Sequence, residues 1–326
     1  IRAFPADIYY DMGGFAAMFH SRCLGSSDYV LNDEKYSLNF KDVNYCSSVE
    51  DYRELAEDPV KFLWNRFYGK KFQNLSADAL QNTLSSYLSL SDAHYARSAA
   101  LKDQLKAQTG SFFLSDVPMY QPAFDYLFQY IVGIKGISTD MRRKAGLLMD
   151  ALESLEQLFR GYMEKFSPAL DKAVSPIQYQ ICMLGQTVTN AKQFDQFIWP
   201  HLGCVMNELA ERNLKLYFMV EGNAGALLEH LEDLKSGMCA LHVESDPLDE
   251  LKKRFGDKFT YVGGMPVDVL GSESTENCVK YVKKILDQYA HEGNFVFTTN
   301  KGIVYERDAS VENLKALCDT VNNFKI

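Results

Sequence analysis

The chain has 326 residues, enough for one large barrel or two ordinary domains, and 47% of them are hydrophobic against 24% charged, the balance of a globular protein rather than a disordered one. Its 43 Asp and Glu outnumber 34 Lys and Arg, so the surface repels a phosphate backbone and argues against nucleic acid as a partner. No apolar run reaches the roughly 20 residues of a membrane-spanning helix, and no signal peptide with a small-residue cleavage site is present, which predicts a cytoplasmic protein with no membrane partner.

Ile1 stands where a Met is expected, which predicts that residues are missing before it. Cys23, Cys46, Cys182, Cys204, Cys239, Cys278 and Cys318 are scattered without a C-x-x-C pair, an odd set that suits a reducing compartment and gives no support for a thiolate metal site. Most sit in apolar surroundings such as "YQICML" and "LKALCDTV", and read as small core residues.

In chain order, "ADIYYDM" reads as a first strand. "SVEDYRELAEDPVKFLWNRF" follows as helix, with Ser48 placed to cap it and Pro59 placed to split it in two. "GSFFLSD" reads as a second strand. From "PAFDYLFQYIVGIKGISTDMRRKAGLLMDALESLEQLFRGYMEKF" two or three helices are predicted, with "GIKGIS" breaking the first, Asp140 capping the next, and Phe124, Leu127, Phe128 and Ile131 forming a core stripe.

The second half alternates regularly. "PIQYQICML", "LKLYFMV", "MCALHVE", "KFTYVGGM" and "NFVFTTN" are short β-rich runs. Between them lie "AKQFDQFIWPHLGCVMNELAERN", "GALLEHLEDL", "DPLDELKKRFG" and "TENCVKYVKKILDQYAHEG", all of helical pattern. Strand and helix in alternation predict a parallel sheet, and no linker divides the chain. The expected architecture is therefore a single (β/α)8 TIM barrel over 1–326 with extra N-terminal helices, one of its eight strands unplaced. A doubly wound open sheet is the alternative, although no G-x-G-x-x-G follows a strand.

In such a barrel the active site gathers at the C-terminal ends of the strands. Glu221 stands at one such end, in "LYFMVEGNAG", as do His242, Glu244 and Asp246 in "LHVESD", Gly263 and Gly264 in "YVGGM", and Asn300 in "FTTNKG". Structural roles compete: Glu221 could cap the helix after it, and "S-D-P-L-D-E" reads as an N-cap at Asp246 with Pro at the first helical position. His242 and Glu244 alternate in one strand and face the same side, where buried polar groups need a partner.

"EDYRELAEDPVKFL", "FDYLFQYIVGIKGISTDMRR", "KQFDQFIWPHL", "MVEGNAGALLEHLEDL", "LKKRFGDKFTYVGGMPVDVLGSESTENCVKYVKKIL" and "EGNFVFTTNKGIVYERDASVENLKAL" together resemble the uroporphyrinogen decarboxylase superfamily, specifically its corrinoid-dependent methyltransferase branch. The resemblance runs from about Ser48 onward and is most specific in the last two stretches. It implies a TIM barrel. The arginine-rich R-Q-A-G-R opening of true uroporphyrinogen decarboxylases has no match here. The His-x-Cys and later Cys with which coenzyme M methyltransferases hold zinc are replaced by Glu221-Gly222-Asn223 and by the region of Asn300.

The resemblance therefore implies an aryl methyl ether O-demethylase type: a methyltransferase moving a methyl group from a small O-methylated donor to Co(I) of a separate corrinoid protein, its cobalamin carried by that partner. Zinc held by Glu221, His242 and Glu244 would act as a Lewis acid, with Glu221 and Asp246 as the catalytic carboxylates. Tyr9, Tyr10, Phe15, Phe19 and Asn300 are expected to line the substrate pocket. The alternatives are a uroporphyrinogen decarboxylase-like decarboxylase, or a catalytically idle barrel that binds a corrinoid protein.

Overall fold

The structure, a computed structural model, describes residues 4–9, 29–32, 37–40, 44–72, 75–114, 117–170 and 176–325. The chain packs as two compact units, one of Ile1–Ala6, Val117–Pro122 and Met163–Ile326, the other of Asp7–Asp116 and Ala123–Tyr162.

In the second of these, β1 (Ile8–Tyr9) pairs in parallel with β4 (Phe112–Phe113), and β2 (Tyr29–Asn32) forms an antiparallel hairpin with β3 (Ser37–Phe40). The helix Val49–Glu57 begins at a capping box between Ser48 and Asp51, and Asp58 caps the short helix Pro59–Phe62, so Pro59 splits the helical stretch as the sequence predicts. Phe124, Leu127, Phe128 and Ile131 are all buried, as a core stripe requires.

The next break falls where "GIKGIS" begins, as the sequence predicts: Gly133, its first residue, adopts φ +76° after a stretch of π-helix at Leu127–Val132, and the following residues lie in the helix Gly133–Arg143. The cap differs from expectation. Asp140 caps nothing. It is buried within that helix, accepts from the Tyr52 hydroxyl at 2.9 Å and pairs with Lys144 at 3.2 Å. Tertiary packing supplied a partner for the carboxylate that local sequence assigned to a helix end.

The other unit is built on a six-stranded parallel sheet. Its strands are β5 (Met119–Tyr120), β6 (Tyr179–Met183), β7 (Leu216–Val220), β8 (Cys239–Val243), β9 (Thr260–Met265) and β10 (Phe295–Thr299). They lie in the order β10-β9-β8-β7-β6-β5, every neighbour also the neighbour in sequence. A doubly wound sheet reverses direction at a switch point. This one never does, which is the order of a (β/α)8 barrel-like fold. β5 is a strand of this sheet that the sequence did not place, and β1 and β4 pair in parallel within the other unit.

Helices Ala191–Phe197, Trp199–Glu211, Leu248–Phe255 and Thr275–Tyr289 fall between the strands where the pattern predicts them. They cover one face of the sheet: Leu216, Phe218, Val220, Leu241 and Tyr261 have no exposed surface, each contributing about 1.5–3 kcal/mol of burial. At the far edge Met265, Leu270, Cys278, Val282 and Leu286 form a further core.

Gly271 shows how closely the chain is packed beyond β9. A Cβ there would lie 2.5 Å from the Arg307 carbonyl oxygen and 2.9 Å from that of Asp308, both backbone atoms that cannot turn aside. Gly161, on the helix Ala145–Leu170, has nothing within 4 Å of such a Cβ. Gly271→Ala is expected to lower stability by about 1–3 kcal/mol and Gly161→Ala to raise it by about 0.4–1 kcal/mol. Thermal melting of the two variants should move in opposite directions, and a shared direction would refute this packing.

Candidate functional site

Parallel register decides which side chains meet. Cys182 pairs with Met219, Met219 with His242, and His242 with Val262, so these four share one face of the sheet. Gln180, Tyr217 and Ala240 form the row before them on that face. Two residues beyond Met219 comes Glu221, and two beyond His242 comes Glu244. The face opposite the helices therefore carries the polar groups, concentrated at its C-terminal end.

Glu221 follows β7, its N–H donating to the Met183 carbonyl at 2.9 Å. It caps no helix, since the next one starts at Leu227 with Ala226 as its N-cap. Its half-buried carboxylate accepts from the Cys182 thiol at 3.3 Å. Burial holds its pKa above the ordinary glutamate value, and the charge of Glu244 adds to the rise against the opposing Cys182 hydrogen bond.

Glu244 and Asp246 act on the loop that follows Glu221. Glu244 Oε2 accepts from the Gly222 N–H at 2.9 Å, and Asp246 Oδ2 accepts from the Ala224 N–H at 2.7 Å. Asp246 is thus no N-cap. Pro247 takes that position for the helix Leu248–Phe255. Asn300 is committed to backbone as well, donating to the Glu244 carbonyl at 3.1 Å and accepting from the Val267 N–H at 3.0 Å. Lys301 lies 3.8 Å from Glu244 Oε1.

His242 is only 5% exposed. Its Nε2 faces the Thr299 carbonyl oxygen at 3.1 Å, which can only accept, so Nε2 carries the proton and Nδ1 accepts from the Tyr217 hydroxyl at 2.6 Å. Burial pushes its pKa below the usual histidine value, opposed by hydrogen bonds to the backbone of Thr299 and Asn300 and by the charge of Glu244.

The expected zinc trio of Glu221, His242 and Glu244 does not fit a metal in this arrangement. Both ring nitrogens of His242 are engaged, and one oxygen of Glu244 serves the Gly222 N–H. Among the described residues no three His, Cys, Asp or Glu side chains are grouped to hold a metal ion. Alternation along β8 was legible in the sequence, whereas the partners of these groups, Tyr217, Gly222 and Thr299, come from elsewhere in the chain.

Of the expected pocket residues, Tyr9 stacks on Phe113 with ring centroids 5.5 Å apart, in the unit of Asp7–Asp116 and Ala123–Tyr162. Tyr10, Phe15 and Phe19 lie outside the described residues. Two residues at the strand ends were not foreseen. Cys182 reads as core in "YQICML", yet the alternation of that run puts it with Gln180 on the polar face. Gln186, in the turn Gly185–Val188 after β6, donates to the carbonyls of Glu221 and Asn223.

A family model described as uroporphyrinogen decarboxylase (URO-D) matches residues 126–324. The chain belongs to the uroporphyrinogen decarboxylase family. Its strand order agrees with that family's barrel-like fold, and the family is one of enzymes. No curated protein matches the chain. No helix among the described residues is long and apolar enough to cross a membrane.

The depressed pKa of His242 carries a sign that can be measured. A histidine held neutral by folding contributes stability that is whole above its unfolded pKa of about 6.5 and is lost as pH falls through the folded value. Between about pH 7 and pH 5 the melting temperature of the wild type should therefore fall further than that of His242→Gln, which cannot be protonated. Parallel profiles would show that the imidazole is not held neutral.

Proposed function

We propose that this family member is a methyltransferase of the corrinoid-dependent branch, taking a methyl group from a small O-methylated donor, an aryl methyl ether for preference. The acceptor is a Co(I) corrinoid carried by a separate protein, which supplies the nucleophile. The observation that carries the reading is Glu221: a half-buried carboxyl at the end of β7 that caps no helix and is inclined toward its acid form by burial.

An ether oxygen leaves poorly as an anion. A protonated carboxyl beside it supplies the proton as the carbon–oxygen bond breaks, so the demethylated product departs as a neutral alcohol or phenol. The methyl carbon passes to the acceptor while the bonding pair stays on oxygen with the proton from Glu221. Glu244 and Asp246 hold the loop in which Glu221 sits, and the Cys182 thiol orients its carboxylate.

The charge around this group favours the same reading over decarboxylation of a porphyrinogen. The carboxylates Glu244 and Asp246 flank Glu221 within one pair of strand ends, and Lys301 lies beside Glu244. A polycarboxylic substrate would be repelled there, whereas an uncharged ether would not. The zinc reading requires His242 to release Thr299, and stoichiometric zinc in the purified protein, lost on Glu221→Gln, would restore it.

Mixed with a cognate corrinoid protein in its Co(I) state and a panel of aryl methyl ethers, the enzyme should bleach the Co(I) absorbance. The rate should fall as pH rises through the raised pKa of Glu221, because only the acid form donates. Glu221→Gln should reduce the rate by about 10²–10⁴-fold and abolish that pH limb. No transfer from any donor with the cognate partner present would instead favour a barrel that binds the corrinoid protein without turnover.

A further inference from the structure

The loop after β7 contains two glycines in the left-handed region, Gly222 at φ +65° and Gly225 at +55°. Such a segment, with little apolar surface of its own to bury, has low intrinsic resistance to local opening. It nevertheless carries Glu221. Neighbours hold it at successive backbone groups: Met183 takes the Glu221 N–H, Glu244 the Gly222 N–H, and Asp246 the Ala224 N–H, while the Ser245 N–H donates to the Gly222 carbonyl at 3.1 Å.

The carbonyl of Glu221 itself is held by Gln186. One amide nitrogen, Nε2, donates to Glu221 O at 2.6 Å and to Asn223 O at 3.2 Å, bridging across Gly222. The amide cannot be turned over, because its oxygen would then face two carbonyl oxygens. In this orientation Oε1 is buried with no hydrogen-bond partner among the described residues, and the side chain as a whole is 5% exposed. An unpaired buried acceptor destabilises a fold, and an ordinary structural clamp has no need of one.

We propose that Gln186 is a positioning residue, present to fix the strand-end carboxyl of Glu221, an inference that rests on the reading of Glu221 as proton donor. Its two donors hold the loop while its oxygen is left without a partner. Methionine at this position, of similar length, would remove the clamp and the unpaired oxygen together. The two effects on global stability oppose each other, but both hydrogen bonds to the loop are lost. Gln186→Met should therefore loosen residues 221–225 with little change in melting temperature.

Cys182, partly exposed, would report on this directly: its thiol donates to the Glu221 carboxylate, and lifting of the loop would uncover it further. Alkylation by iodoacetamide, followed by mass spectrometry of the peptide containing Cys182, should run roughly tenfold faster in Gln186→Met than in the wild type. Deuterium exchange at the Gly222 and Ala224 amides should quicken alongside it. Methyl transfer, where it is measured, should lose kcat with little change in KM. Gln186→Asn keeps the amide but shortens its reach, and should give the same result if the Met variant does not fold.

Unchanged alkylation and exchange in a folded variant would overturn the proposal. So would faster exchange throughout the sheet with a large fall in melting temperature, which is the mark of a structural role. Neither reading needs turnover. Loop opening without methyl transfer by the wild type would leave the clamp standing and remove the methyltransferase assignment, whereas transfer with an unmoved loop would do the reverse.

Discussion

The register of the parallel sheet is the constraint on which the rest of this structure depends. Because side chains alternate with a period of two, pairing Cys182 with Met219 and Met219 with His242 commits Glu221 and Glu244 to the same face and the same end. The opposite face then receives Leu216, Phe218, Val220 and Leu241, all without exposed surface. A slip of one residue in any strand would exchange these sets, sending carboxylates among the helices and leaving phenylalanine and leucine without a cover. The apolar face thus holds the polar one in place, and the position of the site follows from the packing of the core.

The carboxylates at the strand ends divide their work according to what surrounds them. Glu244 and Asp246 each accept a backbone N–H from the loop, Gly222 and Ala224 respectively, and so act as anchors. Among the described residues the Glu221 carboxylate accepts from the thiol of Cys182, a weak donor, and burial holds its pKa above the ordinary value. Glu221 is the carboxyl of this group proposed to exchange a proton, and its neighbours hold the loop around it. The imidazole of His242 belongs with the anchors, since Tyr217 and Thr299 occupy its two nitrogens.

In the unit of Asp7–Asp116 and Ala123–Tyr162, two buried carboxylates are paired. Asp51, almost fully buried, is held by the Ser48 cap and by Lys70, and Asp140 is held by Tyr52 and Lys144. Cys46 lies among these groups with its thiol pushed up to about 12 by burial, first, and by the charge of Asp51, which leaves it inert as a nucleophile. Removing one partner from such a network leaves the other uncompensated, so these residues tie the start of the helix Val49–Glu57 to the helix Gly133–Arg143.

The sequence by itself determined the alternation of strand and helix, hence a parallel sheet, and pointed to the strand ends as the place of the candidate site. These are properties of local pattern: β-rich runs such as "LKLYFMV" and helical runs such as "TENCVKYVKKILDQY" are legible because hydrophobic period is set within a dozen residues. The roles of the polar residues were decided only by tertiary structure. Asp140 and Asp246 look like helix caps in their own segments, yet Tyr52 and Ala224 claim them from elsewhere in the chain. Gln186 carries no local mark, and Cys182 only its alternation with Gln180. A carboxylate, an amide or a thiol can satisfy its hydrogen bonds with any partner that the fold brings near, and which partner arrives is fixed by register between strands far apart in sequence.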